Sequence, residues 1–471
     1  MTLPGRAPSA GYLSLRDAND HYGPRTRPPV ERAGTDWETV VHQSFALRAR
    51  GFVFVLAALV AGLVPASAPL KAQEAPTAVI HIGLILPAAG TTPLQAAIAK
   101  SAADGTTYAE DDFQLNAELV GIDFKIVKET ASGAAAVTAA ADKLVAAGAF
   151  GVMGGFNYAE AKALGDWSKA KNVPFINLAA SADLLRNQQC TPTMFHMAPS
   201  AAMYMDALAG WYVRSNLRQW YIVYEDTDEG RAQYERFRAS IRDRHFGARE
   251  VGATRLAVGA SGGTNLVNAV RRANADAIFL LMGAEGQLRI LAELDKGGIT
   301  AQTTGFPYPE TQLREFYEMS AKAAPTLGVG HRAAAWEGTI DAYGAREWNA
   351  RYSSLFNEPL QMPAWSIYHA VKTFYESAVF GGGDTSAANI IAHMTNQDNV
   401  FDLHKGLGST FRPWDRQLRQ SLYLVKINAN PKDRISGAIL VGELPAIYMP
   451  GTELVERLDQ LGDMQRQTKC K

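Results

Sequence analysis

Two short stretches place a side chain capable of chemistry in a suggestive setting. In "NVPFINLAASAD", residues 172–183, the apolar run Val173, Phe175, Ile176 and Leu178 reads as a buried strand that stops on Ala179, Ala180 and Ser181. Small side chains at a strand end let a ligand approach main-chain N–H groups, and the Ser181 hydroxyl can donate beside them, so a ligand carboxylate suits such a nest. The same serine can instead cap a helix that starts near Asp183, and both readings stand at this point. The second stretch, "GASGG" at residues 259–263, matches the GxSxG elbow of serine hydrolases and falls between a strand and a helix. Ser261 would then be a nucleophile, with His369, His393 or His404 formally available downstream as its base. A five-residue pattern rich in glycine also arises wherever a strand turns tightly into a helix. The nine His follow neither an HExxH nor a Cys/His ligand spacing, so neither a metal site nor a cofactor is expected.

The elements that would position these residues alternate regularly. "AVIHIGLILP" from residue 78 and "FKIVKE" from 124 read as strands, as does the short "FGVMGG". Between and after them, helices are expected over 93–113, with Pro93 in the first turn, over 134–148, ending on Gly148, and through "AEAKALGDWSKAK", with Leu164 and Trp167 on its apolar face. The pattern restarts after Pro199. Strands are expected at 219–226, 254–258 and 276–283, and helices at 230–244, 264–273 and 285–296. Apolar strands alternating with helices predict an α/β fold of two Rossmann-like lobes, each a parallel sheet covered by helices. Ligands of such sheets bind beyond the carboxyl ends of the strands.

Composition excludes other classes. The 471 residues are 47% hydrophobic and 20% charged, with a formal net charge of −1, as in an ordinary globular chain long enough for two domains. Without a basic excess or a long like-charge block there is no reason to invoke nucleic acid. The N-terminal 72 residues read as a leader. Arg48 and Arg50 precede an apolar run over 52–64, and small residues follow at Ala66, Ala68 and Ala72, which is the order of a cleaved secretory signal. That run is shorter than the roughly 20 residues a membrane span needs, although an uncleaved anchor is the alternative. Residues 1–44 would make an unusually long n-region and suggest a misassigned translation start. Export to the periplasm would take Cys190 and Cys470 into an oxidising compartment, where two cysteines favour one disulfide over two free thiols.

Beyond these patterns, "GVMGGFNYAEAKALGDWSKAKNVPFINLAASADLL" and "MFHMAPSAAMYMDALAGWYV" resemble the first-lobe segment of type I periplasmic solute-binding proteins, the branched-chain amino-acid-binding family of ABC importers. The resemblance continues through "WYIVYEDTDEGRAQYERF", "NAVRRANADAIFLLMGAEGQLRILAEL" and "PAWSIYHAVKTFYESA", and covers about residues 78–427. "FRPWDRQLRQSLYLVK" and "LPAIYMPGT" are similar to a subgroup associated with PQQ-dependent alcohol dehydrogenase systems. The resemblance implies three crossings between lobes, near Pro199, Val329 and Asp402. Lobe one would be about 76–200 plus 329–401, lobe two 201–328 plus 402–445, and 446–471 a C-terminal tail. It implies capture of a small molecule by hinge closure, no catalysis, a monomer, and delivery to an ABC permease in the inner membrane.

The same resemblance places the cleft loops on Thr91 and Thr92, on Phe156, Asn157 and Tyr158, and on Ala179 and Ser181 in lobe one. In lobe two it places them on Asp228 and Glu229, on Glu285, and on Tyr308 and Glu310. Phe156, Tyr158 and Tyr308 are equally readable as core aromatics. Where amino-acid binders commonly carry an aromatic before the glycine of the first lobe-two loop, this chain has Glu229 before Gly230. The added carboxylate can pair with a cationic ligand group or face solvent, which leaves the choice between an amino-acid-like solute and another small organic acid open. A sensor that reports ligand to a membrane receptor would use the same clamp.

Overall fold

A computed structural model describes residues 78–406, 408–445 and 453–470 of the chain. The expected leader and its cleavage zone lie outside the described residues. Among those described, no helix is long and apolar enough to cross a membrane.

The first sheet carries β1 (Val79–Leu86), β2 (Asp123–Thr130), β3 (Gly151–Gly154), β4 (Phe175–Asn177) and β5 (Met194–His196). Its strand order is β2-β1-β3-β4-β5, and every pairing is parallel, with Ile82 of β1 opposite Ile126 on one side and Gly151 on the other. The linking helices are α1 (Pro93–Leu119), α2 (Ala134–Ala146) and α3 (Tyr158–Lys171). Thr92 and Gln95 form a reciprocal capping box at the start of α1, and Pro93 occupies its first turn, as the sequence indicates. The helix runs past its expected end at Phe113, because Ala117 stays buried on the same face.

The second set begins with α4 (Ala201–Arg214) and continues as β6 (Gln219–Glu225), α5 (Asp228–Arg244), β7 (Arg249–Leu256), α6 (Gly263–Ala273), β8 (Ala277–Leu281), α7 (Ala284–Lys296), β9 (Gln302–Gly305) and α8 (Arg314–Ala323). Its sheet is parallel in the order β7-β6-β8-β9. Strand β7 starts several residues before the expected Thr254. It lies at the edge of the sheet and is only half-buried, so its leading residues lack the apolar run that marks the inner strands. A smaller antiparallel sheet of β10 (His331–Ala334), β11 (Leu422–Ile427) and β12 (Ala438–Leu444) completes this lobe. The helices α9 (Ala345–Phe356), α10 (Met362–Phe380) and α11 (Ala387–Thr395) return to the first lobe, where Trp365, Val371 and Phe374 pack in one core with Ile82, Tyr108 and Ile126. A short α12 (Leu454–Leu458) begins the described tail.

The chain crosses between the cores at three points, two of them later than expected. The first lies between Met197, which packs in the first core, and Ala198, which packs in the second. The second falls after Ala335 rather than near Val329, because Ala333 and Ala335 pack with the second lobe while Trp336 packs with the first. The third falls between Leu418 and Leu422 rather than near Asp402, because Phe401, Leu403, Phe411 and Leu418 all belong to the first core.

One buried ammonium ties these crossings together. Lys405 is 3% exposed, and its Nζ donates to the carbonyl of Ala335, to Gln420 Oε1 at 2.6 Å and to the carbonyl of Ser421 at 3.1 Å. It also lies 4.1 Å from the centre of the Trp365 ring. Gln420 Nε2 in turn donates to the Met197 carbonyl at 2.7 Å, so one short network touches all three crossings. Burial pushes the Lys405 pKa well below that of a free lysine, against the pull of the Glu443 carboxylate. Removing the ammonium while keeping a similar shape leaves three buried acceptors unpaired, each costing about 1 to 3 kcal/mol. Lys405→Met is therefore expected to lower the unfolding free energy by at least about 3 kcal/mol, as read from urea denaturation.

Candidate ligand-binding cleft

The strand end at Ala179 is closed by its own neighbours. Gly155, with φ of 80°, brings its carbonyl to the Ala179 N–H at 3.1 Å, and a Cβ at Gly155 would sit 3.1 Å from Ala161 Cβ. Asn177, fully buried, accepts from the Ala180 N–H at 3.0 Å and donates to the Ala180 carbonyl at 2.7 Å. Both main-chain donors of the expected nest are thus used inside the fold, and Ala179 and Ala180 are core residues, 3% and 4% exposed. Their small size lets two loops pack together. Ser181 does not cap the short 3₁₀ turn at Asp183–Arg186, whose N-cap is Ala182 without a side-chain bond. The Ser181 side chain lines a chamber instead.

That chamber has a volume of about 750 Å³ and is walled from both lobes. Tyr158, Ser181, Asp183 and Asn187 come from the first lobe, and Thr227, Glu229, Gln233 and Arg236 from the start and inner face of α5 in the second. A third wall comes from the tail, as Asp463, Gln467 and Lys469. Tyr158 is held by its hydroxyl, which donates to Gln189 Oε1 at 2.9 Å.

The second-lobe wall carries both signs, with Asp228, Glu229 and Asp243 beside Arg236 and Arg242. Gln233, only 3% exposed, donates through Nε2 to the Tyr308 hydroxyl at 2.7 Å, and its Oε1 has no partner among the described residues. Gln233 Nε2 also reaches Glu229 Oε1, at 3.5 Å. Burial raises the Glu229 pKa, the nearby Tyr308 hydroxyl opposes the rise, and the Glu225 carboxylate adds to it. Burial likewise raises Glu310, with Glu229 contributing. Across the chamber, burial raises Asp183, and the guanidinium of Arg236, 3.9 Å away, pulls it back.

Of the expected site residues, Tyr158, Ser181 and Glu229 meet in the chamber, and Tyr308 reaches it through Gln233. Asp228 lines it as well. Asn157 is spent as the N-cap of α3, accepting from Glu160 N at 3.0 Å, and Thr92 as that of α1, accepting from Gln95 N at 3.2 Å. Phe156 packs between the two cores and against Leu313. Thr91 and Glu285 are exposed and line none of this chamber. Asp183, Asn187, Gln233 and Arg236 were missed, as were the tail residues. For Asp183 the signal was adjacency to Ser181; for Lys469 it was the neighbouring Cys470, which is bonded to Cys190 in the structure.

The hydrolase elbow is not assembled. Ser261 is exposed and has no positive φ, whereas the Gly262 and Gly263 N–H groups are taken by Glu293 Oε2 at 2.8 and 2.9 Å. His369 Nε2 pairs with His404 Nδ1 at 3.1 Å beside Trp348, and His393 Nδ1 with Ser377 Oγ at 3.1 Å. Among the described residues there is no group of three or more His, Cys, Asp or Glu able to hold a metal ion.

Comparison with known proteins identifies the class. The profile of the Periplasmic binding protein family matches residues 79–433, and the chain belongs to that family. Its fold is similar to that of a leucine-, isoleucine-, valine-, threonine- and alanine-binding protein from Brucella ovis in a closed conformation. That likeness has 14% identity, covers 82% of this chain and 97% of the other, and has a TM-score of 0.69. A branched-chain amino acid ABC transporter periplasmic ligand-binding protein from Burkholderia xenovorans is similar at 15% identity, 77% and 95% coverage and a TM-score of 0.67. A solute-binding protein of an ABC transporter from Rhodopseudomonas palustris, in complex with benzoate, is similar at 15% identity, 78% and 96% coverage and a TM-score of 0.59. A comparison with curated protein sequences finds no significant match.

The geometry separates two roles within one loop. Asn177→Ala is expected to cost about 2 kcal/mol or more, because it strands the Ala180 N–H in the core and leaves the Ala180 carbonyl with Arg186 Nη1, at 2.9 Å, as its remaining donor. Ser181→Ala should stay within about 0.5 kcal/mol of the parent, since its hydroxyl has no partner among the described residues. Thermal unfolding of both variants checks the contrast.

Proposed function

We propose that this protein is the extracytoplasmic solute-binding subunit of an ABC importer, exported by a cleaved signal, acting as a monomer and handing its ligand to an inner-membrane permease. The observation that carries the reading is the chamber walled from two lobes of a periplasmic binding protein fold. Hinge bending at the three crossings would open it for entry and close it on the ligand.

The chemistry of the walls favours a small solute with a cationic group, such as an amino acid, over a simple aromatic acid. Glu229, with Glu225 and Glu310 near it, is already held above the ordinary carboxylate range by burial. A ligand ammonium would relieve both the desolvation and the mutual repulsion of these carboxyls. The ligand's anionic end would then turn to the free hydroxyl of Ser181. Tyr158 and the buried Gln233 amide would orient it.

The subgroup associated with PQQ-dependent alcohol dehydrogenase systems remains part of this reading. The stretch that carries the resemblance supplies Arg412, Gln417, Arg419 and Gln420, all buried around the third crossing. A subgroup signature rooted in the hinge rather than in the chamber fits that placement.

Titration calorimetry with the twenty L-amino acids and with benzoate tests the ligand class. An amine-bearing probe is expected to bind, Glu229→Gln to weaken it roughly tenfold to a hundredfold, and Ser181→Ala about tenfold. Because the Glu229 pKa is raised, the carboxyl takes up its proton above the usual carboxylate range as pH falls. Affinity for an ammonium should therefore begin to decline, as pH falls, before an ordinary carboxylate would protonate, and the Glu229→Gln variant should lose that dependence. Binding of benzoate alone, unaffected by Glu229→Gln, would overturn the cationic reading.

A further inference from the structure

The described tail, residues 453–470, is fastened to both lobes and runs past the chamber between them. Its first part is held around the second lobe and the hinge. Asp459 Oδ1 accepts from Arg412 Nε at 2.8 Å and from Arg419 Nε at 2.9 Å, and the Gly462 N–H donates to Asp206 Oδ2 on α4 at 3.0 Å. The Arg244 guanidinium of α5 donates to the carbonyls of Gln460 and Gly462. Its last part is held by the first lobe. Lys469 N–H donates to Asn187 Oδ1 at 3.0 Å, Thr468 Oγ1 to the Arg186 carbonyl at 3.3 Å, and Cys470 is bonded to Cys190.

Asp463 sits where these two attachments meet. One of its carboxylate oxygens accepts from Asn187 Nδ2 of the first lobe at 3.1 Å. The other accepts from Arg236 Nη1 of the second lobe at 2.5 Å, and the same guanidinium stands 3.9 Å from Asp183 of the first. Asp463, Asn187 and Arg236 all line the chamber.

We propose that the disulfide-anchored tail is a clasp across the ligand chamber, in which Asp463 ties Asn187 of one lobe to Arg236 of the other and so biases the protein toward closure. The carboxylate makes both bonds only while the two lobes stand this close, so parting them costs at least one charge-assisted bond. An interaction made in one arrangement and lost in the other shifts the balance between them. The disulfide matters because it fixes the tail's far end on the first lobe. Without it the tail could follow the second lobe outward with Asp463 still paired to Arg236, and only non-covalent contacts would resist, those of Asn187 with Asp463 and Lys469, of Thr468 with the Arg186 carbonyl and of Trp414 with the Asp463 carbonyl. The effect on ligand affinity rests on the chamber being the ligand site; the effect on opening does not.

The test compares the parent protein with Asp463→Ala, Asn187→Ala and Cys470→Ser, with Arg466→Ala as a control on an exposed tail residue. Small-angle scattering without ligand should show a larger radius of gyration for the first three variants and no change for the control. Calorimetry with any L-amino acid that the parent binds should show Kd about tenfold weaker for Asp463→Ala, with faster association, since more of the population stands open. Asn187→Ala keeps the Asp463 ion pair with Arg236 and serves where Asp463→Ala fails to fold. Scattering curves of all three variants that superimpose on the parent's would overturn the clasp, whatever the ligand proves to be. A parent that binds none of the probes would count against the proposed ligand class, while scattering alone would still decide the clasp.

Discussion

The architecture turns on a buried positive charge at the seam between two cores. Lys405 holds the carbonyls of Ala335 and Ser421, which flank the second and third crossings, and its partner Gln420 reaches the Met197 carbonyl beside the first. Three extended segments that leave one sheet system for another carry main-chain groups that no strand partner satisfies. A short ammonium with three donors, seated on the face of Trp365, answers that need in little space. Around it, Gln417 donates to Ala198 O at 3.0 Å and Arg186 to the same carbonyl at 2.7 Å, so the first crossing is secured twice.

With the seam fixed, the chamber becomes a matter of what each lobe presents across it. The first lobe offers short polar side chains on a loop whose backbone is already satisfied. The second offers carboxyls on the first turns of α5 and just after β9, where the fold crowds Glu225, Glu229 and Glu310 near Tyr308. Helix N-termini accommodate acidic residues readily, which explains why α5 can start on Asp228 and Glu229 at little cost. Their crowding against a partly desolvated wall is the feature on which the proposed cationic ligand group rests. A second buried pair, Arg314 with Glu337, joins the start of α8 to the segment after the second crossing, and lies away from the chamber at the hinge.

Much of the fold was legible in the residues, and the reasons are local. The apolar runs of β1, β6 and β8 are buried on both faces of their sheets and so read as continuous hydrophobic strands. Pro93 marked the start of α1, whereas Thr92 with Gln95, Asn157, Ser200 and Thr227, each of which caps the helix that follows, were not read as caps. The edge strand β7 was placed late because a half-buried edge has no such run, and the third crossing was placed early because buried aromatics such as Phe401 and Phe411 do not reveal which core they enter.

By itself, then, the sequence determined the alternation of strands and helices and the two-lobed plan, which follow from periodicity and strand ends acting over a few residues. Of the chamber it gave Ser181 as a strand-end residue, while Tyr158, Asp228 and Glu229 came from the family resemblance. The tertiary structure alone decided that the donors near Ala179 are consumed by Gly155 and Asn177, that Lys405 secures the crossings, and that Asp463 and Lys469 reach a chamber formed far earlier in the chain. Apart from the Asn177 contact with Ala180, three residues away, those outcomes depend on which groups meet across 15 to 282 residues of chain, and pairing at such separation leaves no periodic trace in the residues themselves.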